Sequence, residues 1–199
     1  LITIDNIRTN LASSAHAPAN FEANYRQAAV AMILAEGEND LDVCFIRRAE
    51  REGDPWSGQV AFPGGRADAG DPSANAVAER ETMEEIGLIL HAQQLVGPLP
   101  VRQIERQHLK LLSPFVYYVG AGARSTARVR ERHEVASVFW VPLQHLFDRN
   151  SATELEYPMS GTATTFPGIR YGDHVIWGLT LRILESFAEI MQRPLAAQN

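Results

Sequence analysis

The sequence predicts an α+β fold in which a mixed β-sheet is covered by helices. Apolar runs of strand length recur along the chain and mostly follow one another, with one central helix between them and a second helix closing the chain. A regular parallel sheet would instead need strand and helix to alternate. A chain of 199 residues, 45% hydrophobic and 21% charged, is also long and apolar enough for one well-formed core.

Residues 3–12 place Ile4, Ile7 and Leu11 at helical spacing, and Ser13–Asn20 reads as a linker. We expect residues 1–20 to be an extension and 21–199 to be a single domain. Arg26–Leu34 and Leu41–Ile46 are apolar runs joined by the turn sequence EGEND, which predicts a hairpin. Arg47–Trp56 is charged and closes on Gly53-Asp54-Pro55, so a loop is expected. Val60–Phe62 is a short strand that stops at Pro63. A helix over 72–86 follows, with Asp71 as N-cap, Pro72 in the first turn and Gly87 as a left-handed C-cap. Further strands are expected at Gln94–Gly97, Leu109–Val119 and Val135–Val141, with a loop over Gly120–Arg132. Pro142–Phe147 reads as a short helix, and Thr153–Tyr157 with Thr165–Tyr171 as another hairpin. A helix from about Val175 to Met191 buries Ile176, Leu179, Thr180, Ile183, Leu184 and Phe187 on one face.

The net charge of −6, without a basic block, argues against a nucleic-acid polymer as partner. No apolar run is long enough to span a membrane, and no signal-peptide pattern opens the chain. The first residue is Leu1 rather than Met, which leaves an upstream targeting segment open. The single cysteine, Cys44, lies in an apolar run and reads as a buried thiol in a reducing, cytoplasmic setting. The six histidines lack metal-ligand spacing and read as structural or surface residues.

The chemistry concentrates in Gly58–Leu88. Turned at 100° per residue, Glu81, Glu84 and Glu85 share an arc of about 100°, while Glu79 falls on the far side and reads as a solvent residue. Arg80 stands four residues before Glu84, close enough to pair with it. Carboxylates gathered on one arc repel unless a positive charge lies between them. A hard divalent cation such as Mg²⁺ takes a few such oxygens and leaves places for water and phosphate, which suits attack of water on phosphorus. A solvated acidic face is the plainer alternative. Phe62-Pro63-Gly64-Gly65 favours the site, because paired glycines let backbone approach a ligand or metal closely.

This stretch resembles the box of the Nudix hydrolases, G-x5-E-x7-R-E-U-x-E-E-x-G-U with U apolar. Arg80-Glu81-Thr82-Met83-Glu84-Glu85-Ile86-Gly87-Leu88 fits its second half, and Gly65 stands for its first glycine. Asp71 replaces the box's first glutamate, and one additional residue precedes Arg80. The resemblance implies the Nudix fold, a mixed sheet sandwiched between helices, and cleavage of a diphosphate bonded to another moiety. It implies Mg²⁺ or Mn²⁺ on Glu81, Glu84 and Glu85, with the Gly65 carbonyl and a later acidic residue, for which Glu134 is the candidate. Arg80 would orient a glutamate, and either Glu81 or a residue outside the box would help activate water. A homodimer is the weaker family expectation.

For the substrate, GQVAFPGG followed by Asp68 and Asp71 resembles the subgroup that hydrolyses coenzyme A. Arg48-Ala49 fits its upstream motif, whereas Asp54-Pro55-Trp56-Ser57 departs from it. Arg47, Arg48 and Arg51, with Gly64, are the candidate phosphate-binding residues; solvated loop charges are the alternative. Trp56 reads as a stacking or a packing residue, and Arg102, Arg106, His108 and Lys110 as a second polar stretch facing the substrate. A different nucleoside diphosphate derivative, or a Nudix-fold binding module without turnover, remain the competing readings.

Overall fold

A computed structural model describes residues 1–14, 20–38, 40–54, 56–106, 108–159 and 162–198. Residues 15–19 of the expected linker, Asn39 of the expected turn and Pro55 of the expected loop lie outside the described residues.

The chain runs α1 (Ile4–Ser13), β1 (Gln27–Glu36), β2 (Leu41–Arg48), β3 (Val60–Ala61), β4 (Gly64–Arg66), α2 (Ala74–Ile86), β5 (Leu95–Pro98), β6 (Arg102–Arg106) and β7 (Leu109–Tyr118). It continues through α3 (Ala123–Thr126), β8 (Val135–Pro142), β9 (Ala152–Met159), β10 (Thr162–Tyr171), β11 (His174–Trp177) and α4 (Gly178–Ile190). β1 pairs in parallel with β7 from Gln27↔Leu111 to Leu34↔Tyr118, and the other pairings of the main sheet are antiparallel, so the sheet is mixed as expected. β9, β10 and β11 form a separate antiparallel sheet.

The feature that positions the site is a split. β1 and β2 pair with each other only from Leu34↔Val43 to Glu36↔Leu41. Farther along, β3 takes β2 (Ile46↔Ala61) and β4 takes β1 (Ala29↔Gly65, Val30↔Gly64). The Pro63 carbonyl between them accepts the Ala31 N–H at 2.8 Å, so backbone pairing continues across the turn. The segment that carries Gly64 and Gly65 is thereby stretched between two diverging strands.

Alternation along β2 sends Val43 and Phe45 to one apolar cluster and Cys44 and Ile46 to the other. α2 covers the Cys44 side with Val77, Ala78 and Ile86. α4 covers the Phe45 side with Ile183, Leu184 and Phe187, joined by Ile7 and Leu11 of α1. Both faces are buried, which explains the near-continuous apolar runs of β1 and β2.

Three expectations change. Ser73, not Asp71, caps α2, accepting the Ala76 N–H; the Asp71 carboxylate is engaged elsewhere. Val175–Trp177 is strand, and the last helix begins at Gly178, whose φ of +61° is a left-handed turn that glycine adopts freely. The polar stretch at 102–106 is the edge strand β6, paired to β7.

Candidate active site

Two glycines bring backbone against the glutamates. Gly64 has φ +147°, and a Cβ there would meet the Ala29 carbonyl oxygen at 2.3 Å, so no other residue fits. Its N–H donates to Glu85 Oε2 at 2.9 Å. A Cβ on Gly65 would fall 2.4 Å from the Glu81 carboxyl carbon, so Glu81 lies directly on the Gly65 backbone.

Arg80 ties the helix to the loop before it. Its Nε and Nη2 donate to Asp71 at 3.0 and 2.9 Å, Nη2 also donates to the Arg66 carbonyl at 3.0 Å, and Nη1 reaches Glu81 and Glu84 at 2.9 and 3.0 Å. A guanidinium has five N–H donors, and these acceptors occupy all of them. The hydrogen bonds from Arg80 hold the Asp71 carboxyl below its usual range, and Asp71 in turn is the main reason that Arg80 is still harder to deprotonate than usual. The expected Arg80–Glu84 pair is present, and Asp71, expected as a cap and as the stand-in for the box's first glutamate, is the strongest partner.

Burial raises Glu81, with Arg80 opposing the shift and Glu84 and Glu134 adding to it. Glu85 is 1% exposed, and its burial pushes it up to about 8 against the Gly64 N–H, with help from the charge on Glu81. A buried carboxylate among others is an acid that calls for a cation.

The end of α2 brings in the later acidic residue. The Glu85 carbonyl accepts the Arg130 N–H at 2.8 Å, and the Ile86 carbonyl accepts that of Arg128 at 2.9 Å. Residues 128–135 are thus laid over the helix terminus, and the Glu134 carbonyl accepts the Ala49 N–H at 2.8 Å. Glu81, Glu85, Glu134, Gly64, Gly65 and Arg48 all line one cavity of about 380 Å³, with an apolar wall that includes Val30, Phe62 and Leu179.

Several expected residues lie elsewhere. Glu84 does not line the cavity; it is 41% exposed and holds Arg80. Arg47 follows the Phe45 face of β2, pairs with Glu50 at 2.9 Å and is also outside the cavity lining. Arg48, one residue on, takes the opposite face, enters the cavity and pairs with Asp54 at 2.8 Å. Arg51 meets Glu134 at 3.4 Å. His108 and Lys110 are exposed and line neither cavity described here; the Arg106 side chain lies outside the described residues. Arg102 donates to the Arg182 carbonyl and the Ser186 hydroxyl, locking β6 to α4. Glu79 is not a solvent residue: it accepts the hydroxyl of the buried Tyr117 at 2.9 Å.

The sequence reading also missed a neighbour. Glu131, His133 and Glu134 have ligand atoms within 4.8 Å of one another, the one such group among the described residues. Its signal was the spacing E-x-H-E, which straddles the end of the expected loop at Arg132. The oxygen-rich donors on the cavity fit a hard divalent cation.

A family model for the NUDIX domain matches residues 25–160. The chain belongs to the Nudix family. It is 29% identical over 178 residues to the mitochondrial coenzyme A diphosphatase NUDT8 of Homo sapiens, covering 89% of this chain and 74% of that one. It is 33% identical over 136 residues to the uncharacterized Nudix hydrolase NudL of Photorhabdus laumondii, covering 68% and 70%. A MutT/nudix family protein from Enterococcus faecalis shares the fold at TM-score 0.59 and 14% identity, over 91% of this chain and 67% of that one. The protein is a Nudix pyrophosphohydrolase acting on the acid anhydride of a nucleoside diphosphate derivative, and Nudix hydrolases generally use divalent metal ions. Among the described residues, no helix is long and apolar enough to cross a membrane.

Proposed function

We propose that this Nudix hydrolase cleaves the diphosphate of coenzyme A or an acyl-coenzyme A, with Mg²⁺ or Mn²⁺, in a cytoplasmic setting. The observation that carries the reading is the single cavity that Glu81, Glu85 and Glu134 share with Arg48 and an apolar wall. Its acidic end suits a cation and its arginine suits phosphate oxygens, while the apolar wall suits an organic arm. The name of the human relative supports coenzyme A among the possible diphosphates.

In this reading Glu81, Glu85 and Glu134, with the Gly65 carbonyl, hold the cation, and Glu84 serves to hold Arg80. When bound, the cation neutralises phosphate charge and makes water more acidic. Arg80 aims Glu81 and Glu84 and does not touch substrate, because its donors are occupied. Glu81, raised by burial, takes the proton of the attacking water. Arg48 holds the phosphate oxygens on the opposite wall, and the first turn of α4, which lines the cavity at Leu179 and Thr180, adds the positive end of a helix dipole.

Incubation with Mg²⁺ or Mn²⁺ and a panel of coenzyme A, ADP-ribose, a dinucleotide and a sugar nucleotide, followed by chromatography, tests the proposal. Coenzyme A should give an adenosine bisphosphate and phosphopantetheine. Cleavage of ADP-ribose but not coenzyme A would overturn the substrate. Metal-independent binding with no cleavage of any member would favour a binding module.

A further inference from the structure

The C-terminal sheet and α4 enclose a second cavity of about 570 Å³ beside the first, and the two share Trp56, Gln59 and Leu179. Its size is that of a small-molecule site. Most of its wall comes from β10, β11 and α4, which lie beyond the residues matched by the family model.

Strand register builds an aromatic wall here. Trp177 ends β11 opposite Gly168 of β10, and Phe166 lies two residues away on the same face as Gly168. The Tyr157 ring centroid is 4.8 Å from that of Trp177 at 47°, and Phe166 is 5.5 Å away at 45°. Trp177, Tyr157 and Phe166 are half-buried, so the cluster is a wall rather than part of the core. Gln59 and Gln103 add amides that donate and accept.

We propose that this second cavity is the subsite for the flat heteroaromatic base of the substrate, with Trp177 and Tyr157 as its stacking surface. The inference rests on the reading of the carboxylate cavity as the diphosphate site. A base has a π-face for the rings and an edge of mixed donors and acceptors for the glutamines. A linear amide chain would use the amides but has no use for three rings. The shared wall at Trp56, Gln59 and Leu179 lets one ligand keep its diphosphate among the carboxylates while its base reaches the aromatic wall.

The test is calorimetric titration of the intact chain, Trp177→Leu and Tyr157→Leu with two probes, adenosine and pantetheine, alongside steady-state kinetics. Adenosine should bind the parent, and each substitution should weaken it by roughly 10- to 100-fold while leaving pantetheine unaffected. The KM for an adenosine-containing diphosphate should rise by a similar factor. Equal adenosine affinity in all proteins overturns the subsite, as does a loss confined to pantetheine. Circular dichroism checks each fold, and Tyr157→Leu reads the subsite independently if Trp177→Leu misfolds. Absent turnover with intact adenosine binding counts against the diphosphate reading alone. Unchanged KM in a protein with metal-dependent turnover counts against the subsite alone.

Discussion

On one side of the main sheet, α4 inserts Leu181, Ile183, Leu184 and Phe187, and the polar residues it buries, Thr180 and Ser186, are uncharged. On the other side, α2 meets the same sheet with Val77, Ala78 and Ile86, but its buried positions also include Thr82 and Glu85. The α4 side lowers the free energy of the fold by removing apolar surface from water, at about 1.5–3 kcal/mol for a large side chain. The α2 side holds a carboxylate where water cannot solvate it, which opposes folding and creates the demand for a cation. The apolar contacts that stabilise the sheet thus concentrate on the α4 side, and the buried carboxylate lies on the α2 side.

The largest effect that would break this contrast is Glu85→Gln. Turnover should fall by at least about 100-fold, since even partners one step removed from a metal ligand cost 10–100-fold. The fold should persist, because the amide oxygen still accepts the Gly64 N–H. Glu85 is raised to about 8 in the fold, so the folded chain binds its proton more tightly than the unfolded chain. Its contribution is fully present below the unfolded value near 4.5 and is lost as pH rises through about 8. Melting curves without added metal should show Glu85→Gln gaining on the parent from pH 5 to 8, and Mg²⁺ should erase that gain. A constant difference across this range would break the contrast.

Next in size, Phe187→Ala on the opposite side should cost about 3–5 kcal/mol in urea denaturation. Turnover per folded molecule should be kept, because Phe187 is fully buried and lines neither cavity. A matching loss in kcat would show that the two sides are coupled.

The adjacent glycines sharpen the comparison within two residues. A Cβ at 64 meets backbone of β1 at 2.3 and 2.6 Å at a positive φ, so Gly64→Ala should destabilise by about 2–4 kcal/mol. The nearest atoms to a Cβ at 65 are those of the movable Glu81 carboxylate, so Gly65→Ala should melt near the parent and lose about 10- to 100-fold in kcat. Equal behaviour in melting and rate assays would contradict this division.

The architecture was legible where burial writes a plain pattern. β1, β2 and β7 are apolar on both faces, and Gly87 does stop α2 with a left-handed cap at φ 69°. β4 was not legible, because three residues with two glycines carry no strand signal, and β6 was masked by its charges. At the start of α2, Asp71 and Ser73 are both good caps, and only the reach of Arg80 decides between them. In the site, the arc of Glu81 and Glu85 was readable from the helical period. The place of Glu79 was not: it falls about 20° from buried Ile86 on the wheel, on a side that the sheet rather than solvent occupies. The opposite facing of Arg47 and Arg48 needed the knowledge that β2 runs on to Arg48.

Arg80 carries one more consequence, for how this box can change over time. An additional residue precedes Arg80, and the acid that anchors it is an aspartate rather than the longer glutamate. The loop after β4 turns through the Asp71 N–H to the Asp68 carbonyl at 3.0 Å, and Asp71 meets the guanidinium with both oxygens. Lengthening the acid would displace the guanidinium and with it Glu81. A change at Asp71 should therefore be felt at Glu81 through Arg80, so the loop and the helix are expected to change together over time.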